Sequence, residues 1–118
     1  MPLWEDKPGA WHEILPGVRR RILAHDSGVM MVLYHIAPGS LFPRHTHPHV
    51  QSGTVLEGGG DFVVGGEVWK LRPGSSYSLP GGVPHELRTD PKAPTVIVDV
   101  FTPRREDFLP ETVPPDRE

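Results

Sequence analysis

Hydrophobic positions in this chain recur in short runs with a period of two, and clusters of glycine, proline and aspartate stand between the runs. Val18 to Ala24 and Val29 to Ile36 are the longest, and His25, Asp26, Ser27 and Gly28 between them predict a hairpin with a polar turn. Shorter runs follow at Thr54 to Glu57, Asp61 to Val64, Glu67 to Leu71, Tyr77 to Leu79, His85 to Thr89 and Thr95 to Phe101. Turn signals separate them: Gly58-Gly59-Gly60, Gly65-Gly66, Pro73-Gly74, Pro80-Gly81-Gly82 and Asp90-Pro91. Short strands so closely and regularly spaced predict an antiparallel sandwich or barrel, and a small closed barrel has room inside for one ligand. Residues 1–17 carry Trp4 and Trp11 among Pro2, Pro8, Gly9 and Pro16, and read as an arm without regular structure that packs its indoles on a surface. Residues 18–109 form the barrel, and residues 110–118, polar and proline-rich, a flexible tail.

Composition narrows the class. A chain of 118 residues is one domain. Its 15 prolines and 13 glycines leave no stretch free of both longer than Val18 to Ser27, so helices of the usual ~11 residues do not fit. The net charge is −3 and Arg19, Arg20 and Arg21 are the only basic cluster, which argues against nucleic acid as a partner. The longest apolar run, Val29 to Tyr34, is far short of the ~18 residues needed to cross a bilayer, and no apolar signal segment follows Met1. A soluble, cytoplasmic protein is expected. With no cysteine, any metal must be held by nitrogen and oxygen, and seven histidines are the candidates.

His45, His47 and His49 sit two apart, a spacing that puts alternate side chains on one face of a strand, where two imidazoles can share an ion. Pro48 interrupts before His49, which is therefore expected to orient a ligand or to be structural. His35 shares an alternating face with Val29, Met31 and Leu33 and is expected to be a packed core residue. Around the pair the glycines are regularly placed. Five residues separate Gly39 from His45, three separate His47 from Gln51, and six separate Gln51 from Gly58. A second series runs Gly74, five residues, Pro80, one residue, Gly82, two residues, His85. These two series resemble the paired motifs of the cupin superfamily, departing from them at Gln51, where the family usually has Glu, and at Thr89, where it has Asn. The resemblance implies an all-β, single-domain jelly-roll barrel, the double-stranded β-helix, with a divalent metal held by His45, His47, Gln51 and His85. Neutral ligands of this kind accept iron, manganese, nickel, cobalt or zinc.

In Thr95 to Phe101, Ile97, Asp99 and Phe101 share one face, and Val96, Val98 and Val100 the other. Aspartate is depleted in strands and costly to bury unpaired. Either that face meets solvent, which Ile97 and Phe101 argue against, or all three point into the cavity and Asp99 transfers protons near an arginine, Arg104 or Arg105. The run Asp99 to Phe108, with His45 to Gln51, is similar to the small KdgF-type cupins of pectin and alginate breakdown. That similarity implies ketonisation of an unsaturated uronate, with Asp99, Phe101 and Arg105 as the catalytic residues, and a homodimer acting on a small acidic sugar-derived substrate. Two other functions suit the same ligands: a dioxygenase, and a non-catalytic module that binds a sugar or another small ligand.

Overall fold

Strand-forming runs that alternate in polarity need a second apolar layer to cover them, and this chain supplies it with a second sheet. The computed structural model describes residues 1–118. Its strands are β1 (Trp11–Leu15), β2 (Val18–His25), β3 (Met30–Ile36), β4 (Leu41–His45), β5 (Val50–Glu57), β6 (Gly60–Val64), β7 (Glu67–Leu71), β8 (Ser76–Leu79), β9 (His85–Thr89) and β10 (Thr95–Thr102). Two 3-10 segments, Pro8–Ala10 and Glu106–Glu111, complete the list. A six-stranded sheet in the order β1-β2-β3-β10-β5-β8 faces a four-stranded sheet in the order β4-β9-β6-β7, and every pairing is antiparallel. One hydrophobic cluster draws on both, with Val18, Val32, Val55 and Phe101 from the larger sheet and Phe62 and Leu87 from the smaller. The expected all-β jelly roll is therefore present. No helix is long and apolar enough to cross a membrane.

Backbones come close where the two sheets meet, and glycine makes this possible. At Gly59 and Gly60, with φ of 144° and 145°, an added Cβ would lie 2.0 Å from the Leu71 carbonyl and 2.1 Å from that of Arg88. Only glycine tolerates both demands.

Several expectations need correction. The arm is not irregular: Trp11–Leu15 pairs with β2 as an edge strand, because the exposed edge of β2 supplies backbone partners whatever the spacing of the prolines. Both indoles pack on their own chain, Trp4 against His25 with its Nε1 donating to the Val113 carbonyl, and Trp11 beneath the guanidinium of Arg19. The tail is likewise engaged. The 3-10 helix runs to Glu111, Leu3 bridges Arg117, and Lys7 pairs with Asp116. His35 is exposed, because Met30, Val32, Tyr34 and Ile36 take the core face of β3; with apolar residues on both faces the alternation alone could not choose. Strand β4 and the first half of β5 lie where Pro43, Pro48 and Gly53 broke the pattern.

Candidate metal centre

Four donors converge from different elements. A register shift in the β4–β9 pairing, between Phe42 and His45 at Pro43, sets His45 directly opposite His85. His47 is not on the strand: it lies in the loop after β4, where its carbonyl accepts from the Gly82 amide and so ties the two motif segments together. Gln51 comes from β5, beside Phe101 of β10 and Leu79 of β8. The ligand atoms of His45, His47 and His85 lie within 4.8 Å of one another.

Each imidazole is oriented by a backbone carbonyl two residues away. Nδ1 of His45 lies 2.8 Å from the Pro43 oxygen, Nδ1 of His47 3.1 Å from that of His49, and Nδ1 of His85 2.9 Å from that of Val83. A carbonyl only accepts, so Nδ1 carries the proton in His45 and His85 and Nε2 presents a lone pair, while the His47 ring faces an acceptor oxygen at each nitrogen. Thus it is the backbone oxygen of His49, not its ring, that orients His47. Gln51 is fixed in the same way: its Nε2 donates to Asp99 Oδ2 at 3.0 Å, which turns Oε1 toward His47 Nε2, 2.9 Å away. At that distance Nε2–H can donate to Oε1, and with Nε2 deprotonated the two atoms are spaced to share one cation. His85 Nε2 is buried without any partner, which leaves its lone pair free for an ion. Burial lowers the pKa of His45 and His47 and pushes His85 down to about 4, with the charge of Arg105 adding to each effect. All three are neutral at pH 7, the state that binds metal. These residues fit a divalent ion.

His45, Gln51 and His85 open on a small, largely apolar cavity of about 110 Å³. Asp99 lines it at 4% exposure, at the bottom of the face shared with Ile97 and Phe101. Its Oδ1 accepts from the Tyr77 hydroxyl at 2.5 Å, and its Oδ2 from Gln51. Burial pushes the Asp99 carboxyl up to about 7, against the pull of those two hydrogen bonds. The Tyr77 hydroxyl is raised well above its usual range by burial and by the adjacent Asp99. Gly53, paired with Asp99 in the sheet, leaves the space they occupy: a Cβ there would sit 2.1 Å from Asp99 Oδ1 and 2.5 Å from the Tyr77 oxygen.

The structure separates the two arginines. Arg105 lines the cavity, its guanidinium 5.0 Å from the Phe101 ring centroid and 4.1 Å from that of Phe108. Arg104 pairs with Glu106 and does not line it. Tyr77, Arg20, Phe108 and Gly53 are parts of the site that sequence reading passed over. Only Gly53 left a usable signal, since a glycine inside a strand often marks a close approach.

Barrel, glycine turns and donor set together define the class: residues 32–101 match the Cupin_2 cupin-domain model, and the chain belongs to the cupin family. Within it the chain is similar to the pectin degradation protein KdgF of Dickeya dadantii, at 31% identity over 105 residues, 88% of this chain and 94% of that protein. The KdgF structure from Halomonas sp. superposes with a TM-score of 0.79 at 31% identity, covering 84% of this chain and 90% of that one. An RmlC-like cupin from Shewanella frigidimarina gives 0.78 at 30% identity, over 84% and 87%.

Proposed function

We propose that the protein is a metal-dependent isomerase, or tautomerase, that ketonises an unsaturated uronate to a linear keto acid. The observation that carries this reading is Asp99, a buried carboxylate sharing one cavity with His45, His85 and the Arg105 guanidinium, with His47 converging on the same two imidazoles. Similarity to a pectin degradation protein supports the substrate class. His45, His47, Gln51 and His85 hold the divalent ion, which when bound supplies a Lewis acid for a substrate oxygen. Arg105 receives the substrate carboxylate. Asp107 already takes its Nε and one Nη2 hydrogen, at 3.0 and 2.8 Å, so the grip is made end-on, through Nη1 and the remaining Nη2 hydrogen. Phe101 supports that guanidinium from below.

Asp99 carries the proton. Ketonisation leaves the composition unchanged: the hemiacetal hydroxyl loses its hydrogen as its carbon becomes a carbonyl, the ring C–O bond breaks to leave an enol oxygen, and that oxygen becomes a ketone as the C=C bond takes a proton at its other carbon. No oxidant or reductant is consumed. The protein acts in the cytoplasm as a homodimer in this proposal, and the exposed Met31 and Leu56 offer apolar surface for a second copy. The test is incubation with an unsaturated uronate while following the ultraviolet absorbance of its conjugated double bond, with and without dioxygen. Loss of absorbance at equal rates in both supports the isomerase. Loss only with dioxygen identifies a dioxygenase, and metal and ligand binding without turnover identifies a binding module.

A further inference from the structure

Arg20 is a buried cation that the proposed reaction does not use. It sits on β2 at 9% exposure and lines the cavity. Its Nε and Nη2 donate to the two carboxylate oxygens of Glu111 at 2.8 and 2.5 Å. Its guanidinium carbon lies 3.7 Å from the ring centroid of Phe108, the ring that also packs Arg105 at 4.1 Å. Glu111, Arg20, Phe108, Arg105 and Phe101 thus form one continuous stack. It starts at the end of the 3-10 helix Glu106–Glu111, crosses to β2, returns through the helix and ends on β10.

Burying an ion pair costs desolvation that its attraction barely repays, so such a pair is poorly explained as a source of stability. Position is the better explanation. The only polar partner of the Arg105 guanidinium is Asp107, two residues away on the same segment, so that bond cannot hold the guanidinium to the barrel. Phe108 holds it, and Arg20 with Glu111 holds Phe108. We propose that Arg20 and Glu111 are positioning residues for substrate binding: they fasten the C-terminal 3-10 helix across β2, so that Arg105 keeps its free end turned into the cavity. The inference rests on the reading of Arg105 as the carboxylate grip, and it adds that the grip is set from the opposite end of the chain.

The test compares Glu111→Gln, Glu111→Asp and the double variant Arg20→Met/Glu111→Leu with the parent in metal-loaded full-length protein. KM and kcat are measured on an unsaturated uronate, and hydrogen exchange at the Phe108 and Thr112 amides, which bond to the Arg105 and Leu109 carbonyls. For Glu111→Gln we expect KM to rise roughly 10-fold with kcat within about 2-fold, as for loss of uniform binding through a misplaced contact. Both amides should exchange faster, and Glu111→Asp should recover part of each effect. The double variant removes both charges and so leaves none unpaired; it should melt near the parent yet show the same raised KM. A lower KM in Glu111→Gln would mean that Arg20, released from its partner, binds substrate itself, and would overturn the positioning role. Unchanged KM and exchange would overturn it too. Arg105→Lys, run alongside, keeps the two ideas apart: if it leaves KM unchanged the grip reading fails, while amide exchange still reports whether Arg20 and Glu111 fasten the helix. Asp61→Asn, which breaks an exposed pair with Lys70 away from the cavity, should match the parent throughout.

Discussion

Replacing Asp99 with Asn removes a proton carrier while nearly preserving shape, and the hydrogen bonds around it say what else should change. Both carboxylate oxygens accept, one from Tyr77 and one from Gln51. Asn offers a single oxygen. A hydroxyl can reverse its role whereas an amide NH2 cannot, so the Asn oxygen should face Gln51 and its NH2 should donate to Tyr77. Gln51 then keeps its oxygen toward the histidines and the metal is retained. Turnover should fall by roughly 10² to 10⁴, about 3 to 5 kcal/mol of barrier, the usual worth of a positioned acid or base. Stability should move the other way. Burial holds the Asp99 pKa at about 7 in the fold against 3.8 for the free side chain. The folded state therefore binds that proton more tightly than the unfolded chain, and ionisation costs stability as pH rises from 4 through 7. Asn cannot ionise, so the melting temperature of metal-free Asp99→Asn should exceed the parent's by a margin that widens from pH 5 to pH 8. The absorbance assay, elemental analysis and thermal melts check the three parts. Full turnover by a metal-loaded Asp99→Asn variant would refute the proton-transfer role.

Gln51→Glu adds a charge beside the cation and should tighten metal binding in a chelator competition, but it also deletes the donor to Asp99 and sets two buried carboxylates together; they should share a proton and turnover should drop. Unchanged affinity would mean that residue 51 is not a ligand. Gly53→Ala has no room for its methyl group beside Asp99 and Tyr77, so it should lower the melting temperature and displace both, with activity lost beyond what the fraction folded explains. Arg105→Lys should chiefly raise KM, because an ammonium keeps the charge and loses the fork, whereas Arg104→Lys should match the parent.

How far the sequence reaches depends on which physical signal each residue carries. The strands with long apolar runs between turn signals, β2, β3 and β10, were legible, although in β3 the run did not show which face is buried; so was the burial of Asp99, because a carboxylate between Ile97 and Phe101 conflicts with its neighbours. The donors were legible from motif spacing, although a strand alternation does not bring His45 and His47 together; a proline-bearing loop and a register shift do. β1 escaped notice because an edge strand is held by backbone bonds that leave no side-chain pattern. Arg20 and Glu111 escaped for another reason: they stand 91 residues apart, and nothing local marks a pair that forms only when the tail folds back over the barrel.

The most direct test of a metal-dependent ketonase is the rate of absorbance loss on an unsaturated uronate, measured as metal-stripped protein is reloaded in steps with a divalent ion. The rate should climb in proportion to bound ion and level off at one per chain, with no response when His45, His47 and His85 are all replaced by Ala. A rate that ignores the metal content, or no absorbance loss at full loading with any of the candidate ions, would contradict it.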